Sequence, residues 1–571
     1  MSSILQEFDI SWIQEYLPAS LDIKQTILLG SVGLAVFSSY NFIWFYIRPI
    51  FSPMRSLKGP PGGSWLFGHL PQTRDVPAVG DWHRDQLRKH GHVFVYKGLL
   101  NQDRLCTTDP KALQHVLNNS FVYQKPHEAR YSLSRLVGEG LLFVEGDVHK
   151  RQRRIMNPAF GMLHIREMTE IFVAKSNELR DALKKHSSSP HETGEWTHTE
   201  MLSHLSCTTL DIIGLAGFDY RFNALNNLVR KDQGENELSL AFSQILNSMS
   251  HFPFLGFLKM WFPIFRLITF DTRARAERSS KKTMETIGRK LVEERKRVLK
   301  EEMAKGQPSK AKDLLTLLIR ANLAASSGVG GGGGAYGDKS LSDEEVMNQI
   351  PTFLMAGHET TSTATTWALF SLASHPDVQT KLREELLAFP SDTPTMDELN
   401  GLEYLDRVVK ETLRYHGVVS GTIRVAEEDD VIPLEQPFTD KHGTVRHEII
   451  MKKGDGIFIP IRVVDTLQEV WGDDGEKYNP DRWLDPPKRS ASVPSVWANQ
   501  LSFIAGPRSC IGFRFALVEM KALLFALVRS FEFKLAVDAD DVVGKVGIVT
   551  RPALRSRPQE GHQLPLLIRQ V

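Results

Sequence analysis

Cysteine is scarce in this chain. Three residues in 571, at positions 106, 207 and 510, are too few and too far apart for a disulfide framework, and their odd number points to a reducing compartment. No CxxC pair or Cys/His cluster marks a zinc site. An excess of one charge is lacking too: 69 basic side chains face 68 acidic ones, which argues against nucleic acid as a partner. Gly328-Val329-Gly330 and the five glycines ending at Gly334 form no phosphate loop, because no Gly-Lys-Ser/Thr follows and no predicted strand precedes them. The 328–337 stretch therefore reads as a flexible insert. What remains is a chain with 42% apolar residues, enough for a sizeable core and long enough for several domains or one large enzyme.

Thr26 to Ile47 is an uncharged, largely apolar run able to span a bilayer as one helix. No small-residue cleavage site accompanies it, so it is expected to be retained as an anchor. Trp44, Phe45 and Tyr46 resemble an interfacial belt. Acidic residues dominate before the run, and Arg48, Arg55 and Lys58 follow it, which places residues 1–25 in the lumen and the large C-terminal part in the cytosol. Residues 48–62 read as a basic hinge ending in Lys58-Gly59-Pro60-Pro61-Gly62, which cannot continue a helix. Beyond it, Val93–Tyr96 and Leu105–Thr108 predict a small sheet, and most of the later chain reads helical. Ala274 to Lys305 is a long, charged helical run. Leu341-Ser342-Asp343-Glu344-Glu345 caps a new helix with acids in its first turn.

The strongest pattern lies near the C-terminus, where Phe503-Ile504-Ala505-Gly506-Pro507-Arg508-Ser509-Cys510-Ile511-Gly512 runs into an apolar helix. Glycines on both sides of Cys510 suggest a tight turn, and a helix N-terminus favours thiolate over thiol. Taken by itself, Cys510 is a candidate metal or cofactor ligand, a nucleophile, or a small buried residue. The spacing F-x-x-G-x-R-x-C-x-G resembles the haem-binding signature of the cytochrome P450 family at every fixed position. The resemblance runs from about Gly59 to the C-terminus. It implies a mainly α-helical fold with a small β-rich subdomain over residues 63–571, preceded by the transmembrane helix. It also implies haem b, with Cys510 as axial thiolate, Phe503 and Gly512 beside the cofactor, and Arg508 on a propionate.

Three further motifs occur in the family's order. His149 and Arg153 stand i, i+4 on one helix, where family members often have W-x-x-x-R for a propionate. Lys150, Arg151 and Arg154 are expected to join a docking surface for an acidic electron donor. Ala356-Gly357-His358-Glu359-Thr360-Thr361 resembles A-G-x-D/E-T-T, which distorts the family's central helix; Gly357 would let a flat ligand approach, and Thr360 and Glu359 would deliver protons. His358 is not expected to bind metal. Glu411 and Arg414 match E-x-x-R, and Arg482 of Pro480-Asp481-Arg482 completes a structural triad. Arg424 would be another propionate ligand, and Tyr131, Phe353 and Val418–Ile423 would contribute to the substrate pocket.

The resemblance is to fungal members bound to the endoplasmic reticulum and active in secondary metabolism. It implies a monooxygenase that draws electrons from NADPH-cytochrome P450 reductase, with cytochrome b5 as a second donor, since no flavin-binding segment follows the thiol loop. The substrate would be lipophilic, of terpenoid or sterol type, reached from the membrane lipid. A haem-thiolate isomerase or dehydratase, or a membrane haem or sterol binder without turnover, are the competing readings. The retained Glu359 and Thr360 argue against the isomerase or dehydratase.

Overall fold

The computed structural model describes residues 23–74, 80–187, 195–230, 254–262, 265–266, 272–305, 313–326 and 340–571. The glycine-rich insert 328–337, residues 1–22 of the expected lumenal segment and the apolar patch beginning at Phe252 lie at least partly outside them. The apolar N-terminal run is an α-helix over Ile23–Phe42, continued by a π-helical turn over Ile43–Ile47. The hinge after it is not detached from the domain that follows: the Lys58 carbonyl accepts from the Val95 amide at 2.9 Å, joining the hinge to the first strand.

A helix of 32 residues, Asp343–Ser374, runs through the core. Its start is set by sequence: Ser342 accepts from the Glu345 amide and the Glu345 carboxylate reaches back to the Ser342 amide, a capping box. Its apolar and small residues are buried on most sides, with Leu369 and Leu372 fully enclosed. The helix Met201–Phe218 packs against it, as do Glu403–His416 and Phe513–Val528. Met201–Phe218 is long and apolar enough to cross a membrane, yet it is mostly buried inside the protein and serves as a core helix. Burying such faces removes apolar area from water at roughly 25 cal/mol per Å².

A five-stranded sheet forms the smaller layer, in the order Val93–Lys97, Asp103–Thr107, Gly456–Ile459, Thr422–Ala426 and Tyr123–Gln124. All neighbours are antiparallel except Asp103–Thr107 with Gly456–Ile459. The expected pairing of Val93–Tyr96 with the 105–108 run is realised as Val95 opposite Leu105. This sheet has its own apolar core around Leu105, Tyr123, Ile457 and Trp471, beside the larger helical one. The charged run expected from Ala274 is the helix Thr272–Ala304. The division into a large helical part and a small β-rich part thus follows the expected fold class.

Candidate active site

The thiol loop is built between two short 3-10 turns, Leu501–Phe503 and Gly506–Arg508, and opens the helix Phe513–Val528. The Cys510 amide donates to the Phe503 carbonyl at 2.9 Å and the Ser509 amide to Gly506 at 3.0 Å, so the loop closes on itself. Gly506 has φ +71°, and a Cβ there would lie 2.3 Å from the Leu117 carbonyl oxygen. Only glycine fits. Gly512 lies in the turn that opens the helix, with φ −93°, and a Cβ there would meet the Phe160 ring at an ordinary 3.6 Å, so this turn does not require glycine. Ile504 carries φ +57°, a conformation costly for a β-branched residue and held here by the surrounding loop. Phe503 packs between Trp497 and Phe513, with ring centroids 5.6 and 5.9 Å away.

Cys510 is open on one side and enclosed by protein on the others. Desolvation raises its thiol pKa, while the Gly512 amide and the Arg153 charge pull it down. Arg153 reaches the same loop directly, donating from Nη1 to the Ser509 carbonyl at 2.5 Å and from Nε to Asn157 at 2.8 Å. One turn earlier on the helix Gly146–Met156, His149 is buried, and burial with the Lys125 and Arg153 charges lowers its pKa to about 4. It is therefore neutral at pH 7, with one ring N–H to donate. Of the cations expected to form a docking surface, Lys150 and Arg154 stay on the outer side of this helix. Arg151 does not, because it is tied to the Glu345 carboxylate and the Ser340 carbonyl.

Next to His149 is a group of cations that sequence reasoning saw only in part. Lys125, Arg130, Arg424 and Arg508 act on one another, holding the Lys125 pKa well below the ordinary amine range, with desolvation the largest cause. Glu145 pairs with Lys125 at 2.9 Å and with Arg508, which also donates to the Val144 carbonyl. Burial and Arg130 lower the Arg508 pKa to about 10. Arg424 is buried and donates to Thr422 Oγ1 and the Ile423 carbonyl; burial brings its pKa to about 10. Among the described residues, neither Arg130 nor Arg424 has a carboxylate partner. Burying such charges is costly unless an anion arrives. Lys125 and Arg130 were missed from sequence. The local signal was Lys125-Pro126, since a proline holds the preceding residue extended and would place this lysine at a strand end.

On the central helix, Ala356, Gly357 and Thr360 form the accessible side of the motif, while His358, Glu359 and Thr361 are buried. The helix runs through the motif without a break, contrary to the expected distortion: Thr360 Oγ1 donates to the Ala356 carbonyl at 2.7 Å, back along the helix. Gly357 has a reason other than a flat ligand. A Cβ there would lie 2.8 Å from Ile213 Cδ1, so the small residue permits close packing against the helix Met201–Phe218. His358 Nε2 shares a 2.6 Å hydrogen bond with Ser206, and burial with the Arg551 charge lowers its pKa to about 3. Glu359 is ion-paired with Arg551 of the strand Thr550–Leu554. Phe353 is buried, packed edge-on against Phe160 with centroids 5.5 Å apart. Tyr131 lies under the Arg266 guanidinium, 3.9 Å from its ring centroid.

Behind the loop, Glu411 and Arg414 form a fully buried bidentate pair at 2.7 and 2.9 Å. Arg414 also donates to the Asp465, Gly475 and Lys477 carbonyls. Arg482 approaches Glu411 at 3.6 Å but bonds more closely to Asp474 at 2.5 Å and to the Trp471 carbonyl at 2.8 Å. Asp465 links this network to the thiol loop. Its carboxylate accepts from the Leu501 amide at 2.7 Å and from the Ser502 hydroxyl at 3.2 Å. Burial outweighs these bonds and raises its pKa to about 7. A carboxyl with a raised folded pKa binds its proton better in the folded state. Its stability contribution is therefore full below the unfolded value of about 3.9 and is lost as pH rises toward 7. Asp465→Asn keeps an acceptor for Leu501 without titrating. Denaturant unfolding of wild type should lose roughly 3–4 kcal/mol more than this variant between pH 4 and 8. Equal pH slopes would refute the assignment.

A largely helical protein that presents a looped cysteine thiol beside a buried and a half-buried arginine, both without a carboxylate partner among the described residues, next to a long central helix, has the make-up of a haem-thiolate protein. The chain belongs to the cytochrome P450 family: the model of that family matches residues 58–555. Cytochrome P450 monooxygenase 205 of Postia placenta is 46% identical over 95% of this chain and 97% of its own length. Cytochrome P450 monooxygenase 128 of the same fungus is 42% identical over 94% of the chain and 96% of its own length. Cytochrome P450 monooxygenase claW of Ampulloclitocybe clavipes is 34% identical over 90% of the chain and 92% of its own length. The family's cofactor is haem held by a cysteine thiolate, and the residues present fit it. Cys510 supplies the thiol, and the buried Arg424 and half-buried Arg130 supply cations suited to propionates.

Proposed function

We propose that this monooxygenase inserts one oxygen atom from O2 into a lipophilic substrate of terpenoid or sterol type, at the cytosolic face of the endoplasmic reticulum. Its electrons come from NADPH through a separate reductase, with cytochrome b5 as an accessory donor. The observation that carries the reading is the thiol loop: Cys510 at a helix start, between the Gly512 amide and Arg153, beside four clustered cations that share the single carboxylate of Glu145 among the described residues.

Haem bound through a thiolate supplies the electron density that favours O–O cleavage. The protein's residues do the rest. Cys510 holds the iron, while His149, Arg153, Arg424 and Arg508, joined by Lys125 and Arg130, bind the propionates. Thr360 is the hydroxyl on the accessible side of the central helix and holds a proton there. Glu359 acts from behind it through Arg551, whose side chain is 25% exposed and joins this buried turn to solvent. The membrane assignment is supported by the helix Ile23–Phe42, which presents Val32, Val36 and Tyr40 outward, and by Phe51 and Trp65, 80% and 70% exposed near Arg55 and Lys58.

Incubation with a partner reductase and NADPH, followed by product profiling across lipophilic compounds, tests the reading. Product that depends on both supports it, whereas product from a hydroperoxide without any electron supply would make the protein an isomerase or dehydratase. Thr360→Ala should lower product per NADPH consumed by roughly tenfold or more while NADPH oxidation continues. An unchanged ratio would remove Thr360 from proton delivery.

A further inference from the structure

Nine positions after the thiol, Glu519 lies inside the helix Phe513–Val528 with no exposure at all, and neither carboxylate oxygen meets a hydrogen-bond partner of good geometry. It is flanked by buried Val518 and Met520. The helix packs against Met162–Ser187, Asp343–Ser374, Pro376–Ala388, Met396–Gly401, Glu403–His416 and Phe531–Leu535. Among the described residues, no charged side chain from these elements acts on Glu519. Lys521, two residues on, is turned to Asp406 at 2.8 Å and Asn400 at 3.0 Å. Among the described residues, the polar side chain set against Glu519 is the Thr361 hydroxyl of the central helix, itself buried and without a partner of good geometry. Two orphaned polar groups face each other across a helix–helix contact.

An ionised carboxylate in that place would be a bare charge in an apolar core, whereas a carboxylic acid can donate to a hydroxyl. We propose that Glu519 is a neutral carboxylic acid at working pH whose O–H donates to Thr361, making it a positioning residue for the Thr360–Thr361 turn. Desolvation, which holds its pKa well above the carboxylate range, agrees with this geometry. Thr360, the neighbour of Thr361, is the residue on the accessible side of the helix, so fixing one hydroxyl fixes the register of the other. The second half of the inference rests on the proposed role of Thr360; the protonation state does not.

Infrared difference spectroscopy of the haem-loaded protein decides the first half. Wild type minus Glu519→Gln should show the carbonyl stretch of one protonated carboxylic acid, unchanged from pH 6 to pH 8. Absence of that band overturns the proposal. Thr361→Val, which keeps Glu519 and the shape of the core, should shift the band to higher frequency by removing its acceptor; an unshifted band would break the Glu519–Thr361 link. For the positioning role, Glu519→Gln and Thr361→Val should each lower product per NADPH severalfold, and the double variant should be no worse than either. Additive losses, or no loss, overturn the role. The reduced, carbon-monoxide-bound spectrum of each variant separates these outcomes from failure of the haem-thiolate assignment, since both should keep the thiolate band.

Discussion

Cys510→Ala will give a protein whose reduced, carbon-monoxide-bound form lacks the thiolate-type Soret band, and its turnover will fall by at least roughly a thousandfold, the scale expected when a group at the reacting centre is removed. The fold should survive. Cys510 is accessible rather than part of the packed core, and the bonds that shape its loop come from its backbone amide and from Ser509, Gly506 and Arg153. The other cysteines cannot substitute. Cys106 is fully buried in a strand, with its thiol pKa pushed far up by desolvation, and Cys207 lies on the core helix Met201–Phe218. Haem content measured by absorbance should fall less than activity, because the cations around Lys125 and Arg424 remain. A variant that kept the thiolate band would show that Cys510 is not the ligand.

The second large effect concerns stability. Arg414→Ala leaves Glu411 buried with the Asn479 amide at 2.8 Å, the Trp483 indole at 3.0 Å and the more distant Arg482 at 3.6 Å to hold its charge. Breaking a buried pair by removing one partner costs about 3–5 kcal/mol, and the Asp465, Gly475 and Lys477 carbonyls lose their donor as well. Asp465 ties this network to Leu501, so the thiol loop loses support along with it. Arg414→Ala should therefore yield little folded, haem-loaded protein, and Arg414→Lys should recover only part of the loss, since an ammonium cannot reproduce the planar fork. Arg482→Ala should be milder. Its contact with Glu411 is the longer one at 3.6 Å, and its short bonds go to Asp474 and to backbone. Denaturant unfolding checks the order, and Arg414→Lys matching wild type would show the network to be dispensable.

The legible parts of this protein share a property: they are short, and their spacing has a direct physical reading. The capping signal at Ser342-Asp343-Glu344-Glu345 announced the central helix, and a capping box starts it. The i, i+3 spacing of Glu411 and Arg414 put them on one face, and they meet in a bidentate pair. Less was legible where a residue has two neighbours to choose from. Gly357 reads as a window for a flat ligand, and the fold adds a second demand for a small residue because Ile213 presses on it. Arg151 looked like surface charge, yet Glu345, 194 positions away, captures it. Phe353 reads as a pocket residue, and only the fold sets Phe160 against it.

The sequence alone determined the class of protein, because the five fixed positions of the thiol loop and the order of the remaining motifs are local patterns. Only tertiary structure could decide how the charges are shared. Lys125 and Arg130 share one short stretch, but Arg424 and Arg508 lie roughly 300 or more residues further on, and the four act on one another only once the sheet is closed. Glu359 finds Arg551, and Glu519 finds Thr361, only where helices and strands far apart in the chain are brought together. Electrostatic interactions weaken with separation and strengthen with burial. Which side chain carries a proton or awaits an anion is therefore a property of the folded neighbourhood, and no single stretch of sequence contains it.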